Sequence, residues 1–265
     1  MPNTEFTYID IPADESKYGK GLYFFATSRA EFDSFDSSVL GLGDVSQEGQ
    51  YVQALAAIYD LEGFTSFCNQ VDPHLVVPDF LKLFIDWLFS SLAKLFKESE
   101  KANMVALWSK LPVFTKFMGD GILLLWDTKD MSNSSILNVI AILSRVTKIY
   151  PKTFLAEAKK HVSNPPPRLR CGVARGQVIT VGDGNDYVGP CINIASRLQK
   201  LSQLTFAVSR RGVDISIVPS TNKAWQPFVL KKVSLRGIGD EELVYVDKDE
   251  LRKLPADERK LFKNP

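Results

Sequence analysis

Asp60 closes the apolar run "VQALAAIYD", and Asp120 sits in "FMGDGI", sixty residues later. Taken singly, each has an ordinary structural reading. Asp and Gly in "GDG" are common turn residues, and Asp60 could cap a helix that starts near Gly63. Taken together they suggest chemistry. If the first strand lies beside the following hairpin, two carboxylates meet at one sheet edge and repel unless cations sit between them. Two divalent metals would relieve that repulsion and would activate an oxygen nucleophile toward a phosphate. Oxygen ligands favour Mg²⁺ or Mn²⁺ over zinc. The chain has only His74 and His161, without ligand spacing, so a His-based zinc site or a Ser-His-Asp triad is not expected.

A second pair lies in "INIASRL". Asn193 and Arg197 are four apart and share a helix face. Such a pair is either local polar surface or a holder for a sugar and a phosphate, since Arg presents a fork of donors to phosphate oxygens. Arg236, in "SLRGIG", stands before a glycine at a strand end.

The elements that must position these residues follow from hydrophobic spacing. "VQALAAIYD" reads as a strand. "HLVVPDFLKLFIDWLFSSLAKLF" has helical spacing, with Pro78 suited to its first turn. "PVFTKFMGDGILLLWD" reads as a hairpin turning at Met118–Gly121. A long helix is expected from about Ser132 to His161, ended by "SNPPPR". Next come a hairpin in "RLRCGVARGQVITVGDGNDYVG" and a helix in "PCINIASRLQKLS". The strand "LTFAVS" and a strand pair in "FVLKKVSLRGIGDEELVYVD" complete the order. The order β-α-α-β-β-α-β-β-α-β predicts an α+β, ferredoxin-like (palm-type), antiparallel-rich sheet with packed helices. We expect an N-terminal extension over 1–48, one α+β domain over 49–247 and a charged tail over 248–265.

The chain has 265 residues, with 32 Lys and Arg against 31 Asp and Glu. That balance gives no reason to expect a nucleic-acid or membrane partner. No run approaches the length of a membrane helix, and the N-terminus lacks the charged and apolar regions of a signal peptide. Cys68, Cys171 and Cys191 read as reduced thiols, so a cytoplasmic location is expected. A phosphate loop, GxGxxG, HExxH and CxxC are all missing.

Over about residues 50–247 the sequence resembles the class III nucleotidyl cyclase catalytic domains. The likeness rests on "YDLEGFTSF", "KFMGDGILLLW", "GVARGQVITVGDGNDYVGPCINIASRL" and "LRGIGDEELVYV", in this order. The resemblance implies that Asp60 and Asp120 bind two metals, Mn²⁺ or Mg²⁺. It gives Lys116 and Asp186 the base, and Asn193 and Arg197 the ribose and the transition state. Arg236 stands where the family usually has a phosphate-binding lysine, and Arg keeps the charge but changes the geometry. Because family sites draw residues from two subunits, a head-to-tail homodimer with two shared sites is implied.

In finer wording the blocks resemble the pyrimidine cyclases of the Pycsar antiphage systems. The implied reaction is UTP to cyclic UMP, serving a downstream effector that is not a direct partner. Tyr59 is the feature singled out, because most purine cyclases have a small residue before the first metal aspartate. Tyr59 is expected among the base-contacting residues; neighbours on a strand point to opposite faces, so if Asp60 faces the metals, Tyr59 acts instead by packing across the dimer. Lys116 and Asp186 can pair with adenine, cytosine or uracil alike, which keeps CTP and ATP as alternatives. A non-catalytic nucleotide-binding homologue is the alternative of another class. A diguanylate cyclase would carry a "GG[DE]EF"-like hairpin, which "FMGDGI" does not match.

Overall fold

In a computed structural model, residues 6–18, 20–21, 23–70, 72–215 and 227–265 are described. By its contacts the chain divides into two units: Met1–Gln50 with Ile179–Val188, and Tyr51–Val178 with Gly189–Pro265. In the first unit, β1 (Ile9–Pro12) pairs antiparallel with β2 (Tyr23–Ala26), flanked by the short helices α1 (Glu15–Tyr18) and α2 (Arg29–Asp33). β2 carries the apolar run "YFFA". Ser28 and Glu31 form a capping box at α2, fixing its start.

The second unit opens with β3 (Tyr51–Glu62), α3 (Phe64–Cys68) and the long α4 (Pro73–Phe96). Pro73, not Pro78, takes the first turn of α4; Pro78 lies inside the helix. A hairpin of β4 (Lys97–Lys101) and β5 (Met104–Leu107) follows. It has no buried residue, so it left no hydrophobic period in the sequence. Then come β6 (Phe114–Phe117), β7 (Gly121–Asp127) and α5 (Asn133–Tyr150), which a π-helical turn joins to α6 (Ala156–Ala158). The remaining elements are β8 (Arg168–Val181), β9 (Asp186–Val188), α7 (Pro190–Leu198), β10 (Phe206–Ser209), β11 (Phe228–Leu235), β12 (Gly239–Asp247), α8 (Lys248–Lys253) and α9 (Ala256–Arg259).

The sheet runs β11-β12-β10-β8-β3-β7-β6, and β9 pairs with β8. β10 is parallel to β8. The pairs β3–β7, β6–β7, β10–β12 and β11–β12 are antiparallel. This is the antiparallel-rich α+β architecture expected from the sequence. β3 is buried on both faces, which explains its continuous apolar run. Leu55, Ala57, Tyr59 and Leu61 join the core formed with α4 and α5. The residues between them, Ala54, Ala56, Ile58 and Asp60, take the other face. α7 packs closely on that side. A Cβ at Gly172 of β8 would lie 2.1 Å from the Ala195 carbonyl oxygen, so only glycine admits the helix there.

The charged tail packs into the second unit. Leu251, Leu254 and Phe262 are buried, and Lys232 and Lys263 exchange backbone hydrogen bonds. At the other boundary, Ile179–Val188 groups with the N-terminal segment, so the units cut across the expected 49–247 domain.

Candidate active site

The end of β3 and the β6–β7 turn form the core of the site. Asp60 pairs in register with Gly121, and the Leu61 amide donates to the Asp120 carbonyl at 3.0 Å. The two aspartates therefore occupy neighbouring rungs of one strand pair. Glycine makes this approach possible. A Cβ at Gly121 would lie 2.4 Å from the Tyr59 carbonyl oxygen. Gly119 turns the hairpin at φ +90°, a conformation that favours glycine.

Asp60 is only 4% exposed, whereas Asp120 is half-buried. Burial raises the Asp60 carboxyl above its ordinary value. A hydrogen bond and the charge of Arg170 pull it back, the Asp120 charge adds to the rise, and Lys200 lowers it. Arg170 Nη2 donates to Asp60 Oδ2 at 2.6 Å, while Arg170 Nε is buried without a partner. Sequence reasoning missed Arg170. Its signal was an arginine between Leu169 and Cys171, which places it on the face of β8 that includes Gly172. Nearby, Arg168 Nη2 donates to Glu62 Oε1 at 2.6 Å.

Among the described residues no group of three or more His, Cys, Asp or Glu is arranged for a metal. The donor set at this end of the strand pair is two carboxylates. That set fits Mg²⁺ or Mn²⁺, which are commonly held by one or two carboxylates with substrate phosphates completing the shell. A carboxylate buried as Asp60 is costly without a cation beside it, and Arg170 supplies one here.

The other expected site residues lie on separate elements. Asn193 and Arg197 share the exposed face of α7, while Cys191, Ile194, Ala195 and Leu198 point inward. The Asn193 and Arg197 side chains make no hydrogen bond or ion pair among the described residues. Lys116 lies on β6 opposite Leu123, half-buried. Asp186 begins β9 in the first unit, where its carboxylate accepts from the Tyr187 amide at 2.8 Å. Arg236 is exposed in the β11–β12 turn, beside Gly237 at φ +77°.

Tyr59 is a correction. Its side chain is fully buried, and its hydroxyl donates to the Leu143 carbonyl of α5 at 3.0 Å. The two-residue period of β3 sends Tyr59 into the core whenever Asp60 faces the other side. It is a core aromatic, not a base contact.

No family model matches the sequence, and no curated protein sequence matches it either. Solved structures do. The guanylyl cyclase Cya2 is 16% identical with a TM-score of 0.52, covering 76% of this chain and 94% of that one. The guanylate cyclase domain of RhGC from Catenaria anguillulae, in complex with GTP, is 15% identical with a TM-score of 0.47, covering 74% and 97%. A bacterial light-regulated adenylyl cyclase is 16% identical with a TM-score of 0.45, covering 88% and 64%. Sheet order, helix placement and the likeness to Cya2 agree: the chain has the α+β fold of the class III nucleotidyl cyclase catalytic domains.

Proposed function

We propose that the protein is a metal-dependent nucleotidyl cyclase. The observation that carries this reading is the placement of Asp60 and Asp120 on neighbouring rungs at one end of the β3–β7 strand pair. The reaction is in-line attack of a ribose 3′-hydroxyl on the α-phosphate, releasing pyrophosphate. Asp60 and Asp120 would hold Mn²⁺ or Mg²⁺, two per site, which lower the hydroxyl pKa and offset phosphate charge. Asn193 orients the ribose, and Arg197 stabilises charge that builds on the phosphate in the transition state. Lys116 and Asp186 address the base, and Arg236 the terminal phosphates. These roles are divided between two copies in a head-to-tail homodimer.

For the base we propose UTP, giving cyclic UMP, with CTP second, in an antiphage signalling role. This rests on the wording of the sequence blocks alone, since the burial of Tyr59 removes it from the pocket. Incubation of the protein with Mn²⁺ and equimolar ATP, GTP, CTP and UTP, with products separated by mass, tests both levels. No cyclic product from any nucleotide overturns the cyclase reading. Cyclic AMP or cyclic GMP as the main product overturns only the pyrimidine.

A further inference from the structure

Exposed hydrophobic side chains are unevenly distributed in this chain. Of the twenty-four large ones exposed among the described residues, eleven lie within 8–45 and eight within 104–118. Singly exposed apolar residues are ordinary, whereas clusters of this kind mark interaction surfaces.

The first cluster has no core beneath it. Ala13 is the one buried residue among those described in 6–50. The β1–β2 ribbon carries Ile9, Ile11, Tyr23, Phe24 and Phe25, all exposed, with Phe25 at 77%. Its aromatic rings meet only in pairs, Tyr8 with Phe25 and Tyr18 with Phe24. A two-stranded ribbon is marginal in water until it packs on something. The second cluster runs from β5 through the linker 108–113 to the end of β6. Met104 is 78% exposed, and Trp108, Leu111 and Val113 exceed half.

Charge separates the two in the same sense. Residues 1–50 hold nine Asp and Glu against three Lys and Arg, net −6, in a chain whose total is +1; the remainder is therefore +7. Lys101 and Lys110 flank the second cluster and have no acidic partner among the described residues. An acidic aromatic arm disfavours nucleic acid and anionic lipid as partners. It complements a basic apolar surface, and this sequence supplies one in every copy.

We propose that the N-terminal arm docks on a second copy of this chain, its aromatic ribbon covering the lysine-flanked apolar surface of residues 104–118. In a two-fold pair the contact forms twice and closes. The proposal rests on the homodimer reading above.

The test uses the full chain and its Phe25→Asp and Met104→Asp variants. Both positions are exposed, and thermal unfolding checks that the variants remain folded. In sedimentation velocity each variant raises the dimer Kd at least tenfold. In a second arm, a photo-cross-linking phenylalanine replaces Phe25 in a chain of natural isotopes, which is then equilibrated with a heavy-isotope wild-type chain. Cross-links join it to heavy peptides from residues 104–118. A monomeric wild type overturns the dimer reading and this proposal with it. A wild-type dimer whose Kd neither variant changes overturns the proposal and leaves the dimer standing. Cross-links that are light-to-light only, or that map elsewhere, overturn it as well.

Discussion

The Arg170 guanidinium holds the Asp60 carboxylate at 2.6 Å, with side chains only 17% and 5% exposed. Asp120, one rung away, has no such partner among the described residues and is half-buried. The two proposed metal ligands therefore differ in what they do for the fold.

That difference predicts a split between stability and activity. Asp60→Ala strands Arg170 and costs about 3 kcal/mol in denaturant unfolding without metal, as removal of one partner of a buried pair does. Asp120→Ala costs less than about 1 kcal/mol, the usual range for a substitution without buried partners. Both lower cyclase turnover by orders of magnitude. Equal unfolding midpoints for the two variants would contradict the structural role of Asp60, and full turnover in either would remove the metal assignment.

Tyr59→Phe separates core from pocket. Losing the hydroxyl's hydrogen bond to the Leu143 carbonyl costs about 1 kcal/mol. Nucleotide selectivity, measured by competition among the four triphosphates, stays unchanged. A shift toward purines in this variant would return Tyr59 to the base site.

The contrast between Tyr59 and Asp60 shows what the sequence could disclose. Strands, helices and the Asp120 turn were legible because apolar spacing and glycine carry local geometry. The facing direction of Tyr59 was also legible in the two-residue period, but the likeness of sequence blocks argued the other way. Arg170 was hidden because its meaning depends on β8 lying beside β3, a pairing between residues 110 positions apart. The β4–β5 hairpin was hidden because it buries nothing. The grouping of Ile179–Val188 with the N-terminal segment depends on contacts across more than a hundred residues, among them the hydrogen bond that the Asp183 amide donates to the Leu42 carbonyl.

Cys191 offers a pH measurement away from the metal ligands. Burial pushes its thiol up to about 11. At pH 7.5 it therefore carries about two orders of magnitude less thiolate than free cysteine, and iodoacetamide reacts correspondingly slowly. A thiol raised in the fold contributes stability below its unfolded value, and that stability is lost as pH rises toward 11. Alkylation at the rate of free cysteine in the native protein would show that α7 opens from the sheet.

The final prediction concerns the division of the site between copies. Asp120→Ala removes a metal ligand from the β6–β7 turn, and Arg197→Ala removes the guanidinium from the exposed face of α7. Arg197 makes no side-chain bond within the chain among the described residues, so its loss should leave the unfolding midpoint within about 0.5 kcal/mol of wild type, as expected of an exposed side chain. Each variant alone is inactive. When the two are mixed and allowed to exchange subunits, a heterodimer carries one site with both lesions and one site with neither. Random pairing makes half of the dimers mixed, each with one intact site of two, so recovery reaches about a quarter of wild-type turnover. Mass-resolved exchange establishes that heterodimers have formed. Activity that stays at the level of the single variants, with exchange complete, would mean that each chain holds its own complete site and would overturn the shared arrangement.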